Sequence, residues 1–105
     1  MKVIWSDFAI ENLKDIFEYY SINANKKVAH TIRKQILDST HQLKMNPESG
    51  QKELCLESLE QVYRYLVVTN YKIIYRVDNN QICINDVFDT RQDPSKIIDE
   101  KRKLK

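Results

Sequence analysis

The chain has 105 residues, a hydrophobic content of 42% and a formal net charge of +2. This length fits one domain, and the single glycine and two prolines argue against a disordered or low-complexity chain. No apolar run approaches the ~18 residues that a membrane-spanning helix needs, and residues 1–5 do not have the pattern of a signal segment. Two cysteines without metal-ligand spacing lead us to expect a reduced, cytoplasmic protein without a metal site or membrane association.

The first half of the chain predicts a short strand and two helices. Residues 2–5 are β-prone, and apolar side chains then recur every three or four positions over residues 7–20, the pattern of an amphipathic helix. After a turn at residues 21–25, a second helix continues with the same period. It is expected to end just before Pro47, because the residue that precedes a proline avoids the helical region.

The second half of the chain changes to a two-residue period. Residues 48–61 are polar and acidic and are interpreted as a connecting loop. β-branched and aromatic residues then dominate three segments separated by Asn-rich turns, which is typical of a meander. The predicted strands are residues 62–68, 71–77 and 82–88. The expected fold is therefore α+β, with a short N-terminal strand and a two-helix hairpin packed on an antiparallel sheet that ends in a three-stranded meander.

The turn lengths predict which side chains share a face of this sheet. A two-residue loop after Val68 places that residue opposite Tyr71, and the second turn places Val77 opposite Ile82. Because side chains alternate along a strand, two faces follow. The face expected against the helices carries Arg64, Leu66, Val68, Tyr71, Ile73, Tyr75, Val77, Ile82, Ile84, Asp86 and Phe88. The face expected to be open carries Tyr63, Tyr65, Val67, Lys72, Ile74, Arg76, Cys83, Asn85, Val87 and Asp89.

The open face is the candidate binding surface. Cations beside tyrosines, here Tyr63 and Tyr65 with Lys72 and Arg76, suit stacking on bases or contact with a peptide, although an ordinary solvated face has the same composition. Arg91 follows the last strand and is either a ligand of the same partner or a cation that ends the strand.

Arg64 is assigned to the helix side, near the rim of the sheet. There we expect a structural role, in which its guanidinium binds an acid such as Asp86 or the C-terminus of a helix.

Several segments, taken together, have a recognisable order. They are Val3-Ile4-Trp5, Leu13-Lys14-Asp15-Ile16, Leu43-Lys44-Met45-Asn46-Pro47 with Gly50, Arg64-Tyr65-Leu66-Val67-Val68, Tyr71-Lys72-Ile73-Ile74-Tyr75-Arg76-Val77 and Val87-Phe88-Asp89-Thr90-Arg91-Gln92-Asp93-Pro94. Over about residues 2–94 this order resembles the RelE/ParE superfamily, the toxins of bacterial type II toxin–antitoxin systems. The resemblance implies a toxin domain at residues 1–94, followed by a basic tail at 95–105. It also implies a cognate antitoxin, whose disordered segment covers either the open sheet face or the helical hairpin.

The superfamily includes two activities on one fold. ParE-like toxins bind DNA gyrase without covalent chemistry of their own, whereas RelE-like toxins are metal-independent endoribonucleases that cut messenger RNA on the ribosome. If this chain is a nuclease, its candidate catalytic residues are Lys72, Arg76 and Arg91. However, the strand positions that hold lysines in such nucleases are Tyr63 and Tyr65 here, and no Tyr or His follows Arg91.

The incomplete nucleolytic set favours the ParE-like activity. We therefore expect a gyrase-binding toxin that needs no cofactor and no small-molecule substrate. A ribosome-dependent endoribonuclease is the alternative, and a module that binds the antitoxin without being toxic is a third possibility.

Overall fold

Two helices pack on one face of a five-stranded sheet in the computed structural model, which describes residues 1–59 and 61–98. The elements are β1 (Lys2–Trp5), α1 (Asp7–Asn23), α2 (Lys26–His41), β2 (Gln51–Lys52), β3 (Arg64–Val68), β4 (Tyr71–Asp78) and β5 (Gln81–Asp89). Short 3-10 helices occupy Gln42–Lys44, Leu54–Leu56 and Pro94–Ile98. The sheet order is β1-β5-β4-β3-β2. The predicted α+β class and meander are confirmed, but the sheet is mixed because β1 pairs with β5 in parallel.

Side-chain caps determine where the helices begin. The Ser6 hydroxyl accepts a hydrogen bond from the Ala9 amide at 3.1 Å, and Asn25 Oδ1 accepts one from the Val28 amide at 2.9 Å. Because Asn25 caps α2 directly, the connection shortens and α1 extends to Asn23, three residues beyond its predicted end.

Tyr75 attaches the loop after the helices to the sheet. Its buried hydroxyl accepts a hydrogen bond from the Gly50 amide at 2.9 Å and donates one to the Pro47 carbonyl at 2.8 Å. Burial raises the pKa of this phenol. A Cβ atom on Gly50 would lie 2.6 Å from the Tyr75 Oη and 2.8 Å from the Tyr65 carbonyl oxygen, so only glycine allows this approach.

Arg64 strengthens the same attachment. Its Nη1 donates to the carbonyl oxygens of Gly50 at 2.9 Å and Glu48 at 3.4 Å, so its structural contacts are with the loop after α2. The expected pairing of Arg64 with Asp86 is wrong. The Asp86 carboxylate, which is fully buried, accepts a hydrogen bond from the Asn12 amide group of α1 at 2.9 Å.

The predicted strand register is correct as far as one irregularity between β4 and β5. Val68 lies opposite Tyr71 and Val77 opposite Ile82, as expected. The second turn is tight because Asn79 and Asn80 both adopt left-handed backbone angles, with φ of 47° and 62°.

A β-bulge then changes the faces of β5. Tyr75 pairs with Ile84 but Ile74 pairs with Asp86, which leaves Asn85 as an extra residue in β5. Val87 and Phe88, which follow the bulge, exchange faces. Val87 joins the core beneath the helices and Phe88 lies on the opposite face, so the predicted faces of these two residues are wrong.

The sheet face that was expected to be open is covered in part, and Val67 on this face stays 62% exposed. The 3-10 helices Leu54–Leu56 and Pro94–Ile98 pack against each other over a second hydrophobic cluster. Its buried members are Leu56, Tyr63, Ile74, Phe88 and Ile97. Residues 95–98, which were assigned to a basic tail, thus include part of this cover, and the rest of that tail, residues 99–105, lies outside the described residues.

Candidate functional site

Lys72, the second residue of β4, forms an ion pair within the chain. Its Nζ lies 2.8 Å from Glu53 Oε2 and 4.3 Å from the centre of the Tyr65 ring. Glu53 is buried because its amide donates to the Tyr63 carbonyl at 2.8 Å, which draws the loop onto the sheet. Its other carboxylate oxygen accepts from the Cys55 amide at 3.2 Å. The positive charge of Lys72 is therefore compensated by a carboxylate of its own chain.

Arg76 and Tyr63 are neighbours on the same covered face. Arg76 Nη1 lies 2.7 Å from Asp78 Oδ2, and this hydrogen bond raises the pKa of the arginine. Tyr63 is only 4% exposed, so the expectation that it faces outward is wrong. Burial raises the pKa of Tyr63, although Arg76 opposes that rise. A buried phenol with a raised pKa is a poor proton acceptor at neutral pH.

Arg91 lies on the other side of the sheet. Its guanidinium grips both carboxylate oxygens of Asp89, with Nη2 at 2.7 Å from Oδ2 and Nε at 3.0 Å from Oδ1. This contact lowers the pKa of Asp89 to about 2. Arg91 lines a cavity of about 430 Å³ together with Asp15 and Tyr19 of α1 and with Tyr71.

The five predicted partner-binding residues thus do not form one surface. Tyr63 is buried, and Tyr65 is half-buried with its hydroxyl donating to Gln51 Oε1 at 3.0 Å. Lys72 and Arg76 share the covered face, whereas Arg91 borders a cavity that α1 helps to line. Each of the three predicted catalytic cations already has a carboxylate partner.

A groove between α1 and α2 is a second candidate site. It has a volume of about 550 Å³, with an apolar floor and a mostly cationic rim. Its lining residues are Ile10, Leu13, Lys14, Phe17, Glu18, Ser21, Lys26 and Arg33. The Arg33 guanidinium lies 4.8 Å from the centre of the Phe17 ring, and its Nη2 lies 3.0 Å from His30 Nδ1.

The sequence analysis gave the helical hairpin as one of two surfaces for the antitoxin but did not identify this groove, although the sequence contains a signal for it. Ile10 and Phe17 are seven positions apart and border the apolar stripe that defines the core side of α1. Ile10 remains 39% exposed in the structure. Arg33 belongs to the polar side of α2, and a polar side of a helix by itself indicates only a solvated surface.

Within the described part of the chain, no helix has the length and apolar character needed to cross a membrane. The same residues contain no group of three or more His, Cys, Asp or Glu side chains placed to hold a metal ion.

Comparisons with known proteins agree with the fold. The sequence model of a family described as "ParE toxin of type II toxin-antitoxin system, parDE" matches residues 3–94. A solved structure titled "Chromosomal ParDE TA system from P. aeruginosa" superposes with a TM-score of 0.71 at 18% identity, covering 85% of this chain and 95% of that chain. At this identity the superposition shows a shared fold alone. A search of curated proteins found no match.

Proposed function

Because the chain belongs to the ParE toxin family of type II toxin–antitoxin systems, we propose that it stops growth by binding DNA gyrase and that a cognate antitoxin holds it inactive. The observation that carries this choice of target over messenger RNA is the pairing of every candidate catalytic cation with a carboxylate of the chain itself.

Cleavage of RNA through its 2′-hydroxyl needs a proton acceptor and cations that can contact the phosphate in the transition state. Lys72, Arg76 and Arg91 are each held within 2.8 Å of a carboxylate oxygen, and they divide between two sides of the sheet. The buried Tyr63, with its raised pKa, is not suited to accept a proton. This arrangement supports inhibition by binding rather than cleavage by the toxin itself.

The same geometry favours one surface for the antitoxin. The chain's own segments cover part of the sheet face that holds Lys72, whereas the groove between α1 and α2 has an exposed Ile10 beside the half-buried Leu13 and Phe17. An apolar floor between two helices suits an amphipathic helix that orders when it binds. We therefore assign the antitoxin segment to this groove.

Expression of the chain without its antitoxin distinguishes the three candidate functions. The gyrase-binding toxin should produce double-strand DNA breaks and an SOS response while translated messages stay intact. Rapid cleavage of translated messages with intact DNA would support the endoribonuclease. Normal growth with neither lesion would indicate a module that binds its antitoxin without being toxic.

A further inference from the structure

We propose that Arg33 is the residue by which the groove between α1 and α2 selects its occupant, an amphipathic helix that places a carboxylate against this guanidinium. The proposal rests on the proposed function in one respect, since the helix is taken to be a segment of the antitoxin. The proposal adds that this segment must carry a carboxylate in order to be recognised by the groove.

Arg33 is held in place before any partner binds. Its guanidinium lies over the Phe17 ring at 4.8 Å, and its Nη2 lies 3.0 Å from His30 Nδ1. The His30 ring in turn meets the edge of Phe17, with ring centres 4.9 Å apart at an angle of 75°. An arginine fixed in this way loses little side-chain freedom when a partner binds, which favours affinity and specificity.

Arg33 forms no ion pair with a carboxylate of the residues that the structure describes. Among the described residues, the ion pairs involve Lys34, Lys72, Arg76 and Arg91 but not Arg33. The Arg33 guanidinium contacts an imidazole nitrogen and an aromatic ring, and neither of these groups supplies a negative charge. An arginine of this kind, on the rim of an apolar groove, is suited to a carboxylate from a partner.

The rest of the rim points to the same partner charge. Lys14 and Lys26 also line the groove, and Glu18 is the acid among its lining residues. A helix with an apolar stripe would cover the floor, and acidic residues beside that stripe would face the three cations. A basic helix would be repelled by the same rim.

Three model peptides test this inference on the full chain. They share one helical leucine stripe, and the positions beside it are all Glu, all Gln or all Lys. By calorimetry we expect the Glu peptide to bind about 10-fold more tightly than the Gln peptide, and the Lys peptide to bind most weakly.

Substitutions assign that preference to Arg33. Arg33→Gln should weaken the Glu peptide about 10-fold and leave the Gln peptide unchanged. Arg33→Lys should recover only part of the loss, because lysine lacks the planar fork that grips a carboxylate. The matched control is Lys34→Gln, the next residue of α2, whose charge is already paired with Asp38 at 2.8 Å. This variant should bind all three peptides within twofold of wild type.

Several results would overturn the assignment. Equal binding of the Glu and Gln peptides, or unchanged binding by a folded Arg33→Gln chain, would remove Arg33 as the selecting residue. A chain that sediments as a dimer and does not bind the Glu peptide would indicate that a second copy occupies the groove. A gyrase assay needs no peptide, so inhibition without peptide selectivity would reject only the role of Arg33. Selectivity without gyrase inhibition would reject only the target.

Discussion

The ion pair between Glu53 and Lys72 gives a quantitative test of charge compensation in this fold. The Glu53 side chain is 2% exposed and that of Lys72 is 21% exposed. Glu53→Gln keeps the shape and an acceptor oxygen but leaves the Lys72 ammonium without a counterion. Removal of one partner from a buried pair costs about 3–5 kcal/mol. Because Lys72 keeps some access to water, we expect the free energy of unfolding to fall by about 2 kcal/mol.

A double-mutant cycle separates the pair from its surroundings. Lys72→Met alone leaves the Glu53 carboxylate buried and unpaired, so it should also destabilise the chain by about 2 kcal/mol. The double variant has neither charge. It should therefore be more stable than the sum of the single effects predicts, by about 2 kcal/mol. Urea unfolding followed by circular dichroism measures all four free energies.

The exposed pair of Lys34 and Asp38 is the matched control. Their side chains are 77% and 60% exposed, so the same cycle with Lys34→Met and Asp38→Asn should give a coupling below about 0.5 kcal/mol. If the Glu53 and Lys72 substitutions were additive, the carboxylate would not be compensating the lysine. Only two of the three ion pairs would then support binding rather than cleavage as the activity of the chain.

Two further perturbations test other parts of the structure. Gly50→Ala should lower the free energy of unfolding by about 2–3 kcal/mol, because its new Cβ would meet the Tyr75 hydroxyl at 2.6 Å and backbone at 2.8 Å; urea unfolding within 0.5 kcal/mol of wild type would contradict this. The pKa of Asp89, lowered to about 2 by Arg91, implies stabilisation that is complete above the ordinary carboxyl pKa and is lost as pH falls from about 5 to 2. Asp89→Asn should therefore cost about 1 kcal/mol at pH 7, after a discount for the solvent around Arg91, and almost nothing near pH 2. If the substitution lowered the free energy of unfolding equally at both pH values, the contribution of Asp89 to stability would not depend on its negative charge.

The strand register could be predicted because the two turns determine it. Asparagine readily adopts the left-handed backbone conformation that the tight turn at Asn79 and Asn80 requires. The pairing of the following strand residues then follows from this turn, because side chains alternate along each strand. The bulge at Asn85 could not be predicted in this way, since apolar residues at both Val87 and Phe88 fit either face of the sheet. The extra residue, Asn85, therefore places Val87 and Phe88 on the opposite faces of the sheet from those predicted.

The candidate site was harder to predict, because the residues that pair with its cations or cover its sheet face come from irregular segments. Lys72 is neutralised by Glu53, which belongs to a loop without periodicity, and sequence spacing does not determine where such a loop packs. Ile97 likewise covers the sheet from a segment that was interpreted as a tail. Two helices that each show a clear apolar stripe predict a hairpin, but the groove beside Arg33 depends on how the two helices pack together.

Supercoiling of relaxed plasmid DNA by purified gyrase, in the presence of the purified chain, tests the proposed target most directly. We predict that the chain blocks supercoiling or traps broken DNA, that its antitoxin reverses the effect, and that messages in a reconstituted translation reaction stay intact. Undisturbed supercoiling together with cleavage of translated messages, abolished by Lys72→Ala or Arg91→Ala, would contradict the proposal and establish the endoribonuclease instead.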